Sequence, residues 1–407
     1  MSFYRSMQGL VFVMLGFAIL GAWMLTLAGG SVLLPYRISD LGLSSDISNF
    51  AFLISAGWLA QAVTTVAFGF FTDAEKRARG SRSVLMWVAI AAMPLSVWLL
   101  DSATDWLWLA IGWIVVQGTA GALTAICFAI AGDFINDELI GVMSGVFGAV
   151  PGIALLVGVE IADVRWVPAN LIFWIPTVVS IVALMPLAIY YSRNNRLMVP
   201  AEETVEPLQR VGLWKLVIVV ALITAAAPAV QLFPIQYLVS EVGVPWESVP
   251  THVTLLGAVS VGSLVFGSLL SGLVVRKLRG SLEILSAAAL VQLISLALMH
   301  GASTSGYYLF FFGLVSFGIG LASGSLVATA IWTLGRSNAV GRNLSAISAA
   351  QAIPFTLLAA YAGLSFERVG WQETLDSLFV IAALLSLLAI VPLAQGKIVF
   401  RDSRVEE

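Results

Sequence analysis

Charge is what this sequence has least of. Only 11% of its 407 residues are Asp, Glu, Lys or Arg, against roughly 25% in a soluble domain. A soluble fold of this length has no means of covering its surface with so few charges, so the expected solvent is a lipid bilayer. Cysteine is scarcer still. Cys127 stands alone, which excludes an intrachain disulfide, and its apolar surroundings read as a small buried hydrophobe. The two histidines, His252 and His300, are too few to converge on a metal, so no metal site and no cofactor are expected. No Gly-x-x-x-x-Gly-Lys-Ser/Thr loop is present, so the chain carries no nucleotide motor. A net charge of −3 offers no basic face to nucleic acid. Acids and histidines are too sparse in the apolar runs to build an intramembrane enzyme.

What the sequence has is length of apolar run. Hydrophobic residues make up 59% of it, and mean hydropathy is +0.97. A helix needs about 20 mainly apolar residues to cross the hydrocarbon. There the backbone must satisfy its own hydrogen bonds, which makes helix the default. The runs predict an all-α membrane protein with twelve spans: 9–35, 48–71, 84–101, 105–131, 140–163, 168–191, 213–240, 252–275, 281–300, 306–334, 342–365 and 374–395. The first run reads as a span and not as a removed signal peptide. A polar segment splits the spans into two six-helix halves, residues 1–191 and 213–407, joined by a linker at 192–212.

Basic residues orient this topology. With both termini in the cytoplasm, every Lys and Arg except Arg37, Arg165 and Arg368 falls on the inner side, as the positive-inside rule requires. Trp106, Trp166, Trp214, Trp246 and Trp371 lie near span ends, where indole rings favour the headgroup level. The expected location is the cell membrane.

The connection between the second and third spans carries the sharpest motif. It reads Gly69-Phe-Phe-Thr-Asp73-Ala-Glu-Lys76-Arg77-Ala-Arg79-Gly80-Ser-Arg82. A glycine at 69 lets two helices approach closely. Asp73 at a helix end suits pairing with a base or accepting helix N-terminal N–H groups. A second copy, Gly267-Ser-Leu-Leu-Ser271-Gly272 followed by Arg276, Lys277, Arg279 and Gly280, keeps glycines and bases without the acid. Two further segments correspond, Asp137–Gly152 with Gly141, Ser144, Gly145, Gly148 and Pro151, and Gly341–Pro354 with Arg342.

These residues resemble the major facilitator superfamily, whose loop motif runs Gly-x-x-x-Asp followed by bases and Gly. The seven-residue spacing from Asp73 to Gly80 distantly resembles the glycoside–pentoside–hexuronide and sucrose-symporter-like groups, with Ala74 and Ser81 departing from their pattern. The resemblance implies parallel six-helix repeats, alternating access, and a gate of Gly69, Asp73, Arg77, Arg79 and Arg82. It also implies a cavity lined by the first, fourth, seventh and tenth spans. Matching positions are Trp23, Thr26, Gln117, Gln231, Gln236, Ser325, Thr329 and Trp332, with Gln61 and Gln351 added from neighbouring spans. Pro228 and Pro234 would bend the seventh span beside Gln231.

Amides and indoles in a mostly apolar cavity suit a neutral, amphipathic solute. Intramembrane charge is usually functional, and here Glu160 is the one embedded acid, expected either to couple protons or to pair with Arg165 or Arg37. The Gly-Pro fifth span resembles exporters, and the acids of the sugar symporters' cation sites are missing. The expected function is therefore secondary transport by a monomer, with efflux favoured, by antiport where protons couple. Sugar–cation uptake and a non-transporting receptor or scaffold are the alternatives.

Overall fold

The computed structural model describes residues 2–43, 47–134, 139–163, 173–193, 212–240, 242–245, 248, 249–278, 282–302, 304–334 and 339–402. Twelve helices among them are long and apolar enough to cross a membrane. In chain order these spans are Gly9–Leu27, Ser48–Arg79, Ser83–Asp101, Trp106–Phe134, Ile140–Val157 and Trp174–Arg193. The second half follows with Leu213–Gln231, Thr251–Val275, Leu282–Met299, Ser305–Leu334, Val340–Val369 and Trp371–Leu393. Large apolar side chains such as Phe17, Val182, Phe266 and Leu384 stand exposed on the periphery, the surface a bilayer solvates. Most of the linker, 194–211, lies outside the described residues.

Three elements depart from the expected spans, each for a local reason. Span 2 does not stop near residue 71. Its helix runs Ile47–Arg79, so Asp73, Lys76, Arg77 and Arg79 are helical, and the turn to span 3 is only Gly80–Arg82, with Gly80 at φ +68°. Span 1 changes winding at Met24–Leu33, a π-helical stretch, where Gly29 and Gly30 meet the Trp113 ring; a Cβ on Gly30 would lie 3.0 Å from it. Span 7 is broken into Leu213–Ile223, Ala226–Gln231 and Pro234–Ser240. Pro228 has no N–H for the Thr224 carbonyl, which takes the Ala227 N–H instead at 3.1 Å. Pro234 starts the third piece in the same way.

Arg37 explains its own exception to the basic asymmetry. Its guanidinium donates to the carbonyls of Asp101 and Ala103, which end span 3. A cation at a helix C-terminus satisfies orphan carbonyls and complements the dipole.

The two halves meet through spans 2, 4 and 5 on one side and 8, 10 and 11 on the other. Spans 2 and 11 pack along their whole length. Gly363 sits against Ala51 at one end, Ser55 Oγ donates to the Thr356 carbonyl at 2.8 Å, and Trp58 stacks on Phe355 at 4.2 Å between centroids. Span 5 meets spans 8 and 10 through glycine. A Cβ on Gly148 would lie 2.5 Å from Gly324 N, and one on Gly272 would lie 2.5 Å from Gly141 O. Dispersion contact without a hydrophobic drive is what small residues supply in lipid.

Candidate functional site

The basic end of the bundle holds a buried charge cluster tied across the halves. Asp73 is 3% exposed and Arg82 1%. Asp73 Oδ1 accepts from Arg82 Nη1 at 2.9 Å and from the Gly341 N–H at 3.1 Å, and Oδ2 accepts from the Arg342 N–H at 2.8 Å. Gly341 and Arg342 are in the first turn of the span 11 helix, which starts at Val340. Asp73 of one half thus caps a helix of the other, meeting N–H groups that have no partner within their own helix. The negative charge also faces the positive end of the dipole. Gly341 is needed there, since a Cβ on it would lie 2.5 Å from Asp73 Oδ1. Gly69 is needed one turn earlier, where a Cβ would lie 2.6 Å from Ser345 Cβ.

Arg82 holds this carboxylate in place. Its Nε donates to Asp133 Oδ2 at 3.0 Å, and Lys76 Nζ reaches Asp133 Oδ1 at 2.7 Å. Burial pulls the Arg82 guanidinium down, but the charge and hydrogen bond of Asp133 and the charge of Asp73 outweigh it, so the group sits above its ordinary value and stays a cation. Glu75 works inside its own half, taking the Val84 and Leu85 N–H groups at 2.9 and 3.2 Å and so capping span 3. Arg77 and Arg79, grouped with Asp73 on sequence grounds, are exposed and form no ion pair among the described residues. Arg77 lies one turn beyond Asp73 on the same helix, but the Asp73 carboxylate is taken by Arg82 and by the Gly341 and Arg342 N–H groups. The Arg342 side chain instead crosses to the Phe70 ring, 5.7 Å from its centroid.

A second crossing lies deeper and carries no charge. Ser144 Oγ of span 5 accepts from the Val327 and Ala328 N–H groups of span 10 at 3.1 and 3.3 Å. The second motif copy does not cross in this way. Ser271, at the place of Asp73, donates to the Leu321 carbonyl within its own half at 2.8 Å.

A cavity opens between the halves from the level of Gly148 toward the end opposite the basic cluster. It encloses about 660 Å³ of empty space, counting the part that opens to solvent. From the first half Trp23, Leu27, Trp58, Pro151 and Leu155 face it; from the second, Thr224, Gln231, Ser260, Ser323, Gln351 and Phe355. No charged side chain is among the described lining residues. Of the positions expected from sequence, Trp23, Gln231 and the added Gln351 lie on the lining. Ser325 and Thr329 are fully buried and bond back to their own helix. Trp332 is half-buried against the core. Thr26, Gln61 and Gln117 are buried inside the first half with side-chain atoms unpaired. The side chains of Gln236 and Glu160 lie outside the described residues. Trp58, Ser260, Ser323 and Phe355 are lining residues that the sequence reading missed. A helix apolar all round has no moment to show which face meets a cavity.

Solved structures repeat this architecture. The crystal structure of the human organic anion transporter MFSD10 (TETRAN) aligns with a TM-score of 0.69 at 12% identity, over 96% of this chain and 99% of that one. The crystal structure of a bacterial homologue of the iron transporter ferroportin, in an outward-facing state, aligns with a TM-score of 0.66 at 16% identity, over 94% and 99%. At these identities the likeness is one of fold. No curated protein matches in sequence. The family model of the Major Facilitator Superfamily matches residues 9–359. With twelve spans in two halves and that match across most of its length, the chain belongs to the major facilitator superfamily and is a multi-pass membrane transporter.

Proposed function

We propose that this transporter moves a small uncharged, amphipathic solute by alternating access, outward across the cell membrane, with the basic end in the cytoplasm. The observation that carries the reading is a cavity with no charge among its described lining residues, in a protein closed at its basic end. An ion entering an apolar cavity without a counter-charge loses several kcal/mol of hydration, about 2.5–3.5 kcal/mol even at the low estimate for a bilayer centre. A neutral solute avoids that loss. Asp73 acts as the cytoplasmic gate, because its contacts to Gly341 and Arg342 must break for the halves to part there. Gly148, Pro151 and Gly152 at the cavity wall support export, the direction that the Gly-Pro fifth span suggests. Sugar uptake is less well served, since a sugar needs polar partners on both sides and the described lining residues of the first half offer only indole N–H groups.

Coupling to protons would fall to Glu160, because no acid is among the described lining residues. The test is exit of tritiated uncharged aryl amides of low passive permeability from loaded proteoliposomes, with and without a pH gradient. Saturable exit above protein-free vesicles supports the reading. Exit equal to protein-free vesicles for the whole panel refutes it in favour of a receptor or scaffold. Loss of the gradient's effect in Glu160→Gln supports proton coupling there, and an unchanged gradient response removes it.

A further inference from the structure

The cavity is divided by half. Among the described lining residues, every side chain from the first half is apolar or aromatic, apart from the indole N–H groups of Trp23 and Trp58, and every amide and hydroxyl comes from the second half. Of these, Thr224 and Ser260 are partly engaged: Thr224 Oγ1 donates to the Val220 carbonyl at 2.7 Å, and Ser260 Oγ is hydrogen-bonded to Ser316 Oγ at 3.0 Å, where either hydroxyl can donate. Gln231, Ser323 and Gln351 have no side-chain hydrogen bond among the described residues and are partly exposed. Two free amides and a free hydroxyl therefore line the same cavity as Trp23 and Trp58, whose ring centroids lie 6.4 Å apart with the planes tilted by 47°. Phe355 of the second half stacks on Trp58 at 4.2 Å and 20°, so one face of that indole is already covered.

Resting on the transport reading above, we propose that the solute is a flat, uncharged aromatic compound with hydrogen-bonding groups along one edge. Its ring stacks on one of the two indoles and meets the other, tilted one at an edge, and its polar edge meets Gln231, Gln351 and Ser323. Each amide offers both a donor and an acceptor, so an edge carrying both, such as a carboxamide, is matched better than an ether or a halide. Offset stacking on indole rewards a planar π-system over a saturated ring of equal size. A carboxylate would find donors but no cation, and an ammonium would find acceptors but no anion. The division also assigns roles in the cycle. The second half holds the solute by directional bonds, and the first half slides over it through contacts that specify no register.

The test uses purified full-length protein and three probes built on one ring: naphthalene-2-carboxamide, 2-naphthoate and 2-naphthylmethylammonium, with naphthalene as the polar-edge blank. Calorimetry on the wild type should rank the carboxamide first, with both ions at least tenfold weaker. The pair Gln231→Leu and Gln351→Leu together should weaken the carboxamide about tenfold, the size of one lost net hydrogen bond or slightly more. The same variant should leave naphthalene unchanged, which doubles as its folding control. Trp58→Ala should weaken both. Ions that bind within threefold of the carboxamide, a glutamine variant that weakens carboxamide and naphthalene alike, or no binding by any probe would overturn the proposal. Binding needs no flux. Protein that binds as described yet moves no solute refutes the transport reading and leaves the site standing.

Discussion

Replacing Asp73 by Asn separates the charge of this side chain from its shape. The side chain keeps its size, and one oxygen remains to accept a single N–H from Gly341 or Arg342. It loses the second acceptor and the charge that faces both the span 11 N-terminus and Arg82. Arg82 keeps Asp133 at 3.0 Å, so the guanidinium is not orphaned and the fold should survive. A hydrogen bond to a charged group contributes about 1.5–3 kcal/mol net. Losing the better part of one such contact across the halves should cost the closed state about 2 kcal/mol, or roughly 30-fold in the ratio of closed to open basic ends. Spin labels at Ala78 and Glu283, exposed residues in opposite halves beside the basic end, report that ratio once the buried Cys127 is replaced by Ala. The wild type should give one short distance, and Asp73→Asn a large long-distance population. An unchanged distribution in well-folded Asp73→Asn would refute the claim that this carboxylate holds the halves together.

Five other substitutions probe the same geometry. Arg82→Gln leaves Asp73 and Asp133 short of a buried cation, so it should cost about 3–5 kcal/mol of stability, seen as a large fall in melting temperature. Arg77→Ala and Arg79→Ala, both exposed, should stay within about 0.5 kcal/mol of wild type. Ser144→Ala removes the acceptor for the Val327 and Ala328 N–H groups and should open the basic end about fivefold, for a loss of about 1 kcal/mol. Because that contact is uncharged and buried, the shift should be the same at low and high salt, whereas Asp73→Asn should erase whatever salt sensitivity the wild type shows. Gly148→Leu cannot coexist with Gly324 at its present distance, so it should hold the halves apart at the basic end by the same spin-label measurement.

Much of this was legible in the sequence because the bilayer imposes few solutions. Run length and the placement of bases give twelve spans, and the spacing from Gly69 to Arg82 marks the loop that matters. Two of the three partners of Asp73 were not legible: they are backbone N–H groups, which carry no residue-type signal, and they lie 268 and 269 positions away. Asp133 was visible as an acid at the inner end of span 4, but nothing in its neighbourhood pointed to Arg82. Of the bases close to Asp73 in sequence, Arg77 and Arg79 are exposed and Lys76 goes to Asp133. The cavity suffered most, since spans 4 and 10 are apolar all round and their rotation is fixed by glycine contacts to other helices. Ser325 and Thr329 therefore read like cavity residues while their hydroxyls bond to their own helix.

Alternating access makes one demand that no static contact meets: the two ends must move in opposite senses. A second label pair at Thr104 and Thr304, exposed in the corresponding turns at the far end, completes the measurement. Distances should be recorded at both ends of the same Asp73→Asn protein in lipid. The account predicts that the basic-end pair lengthens while the far-end pair shortens, in equal populations. A basic end that opens while the far end stays as in the wild type would contradict it.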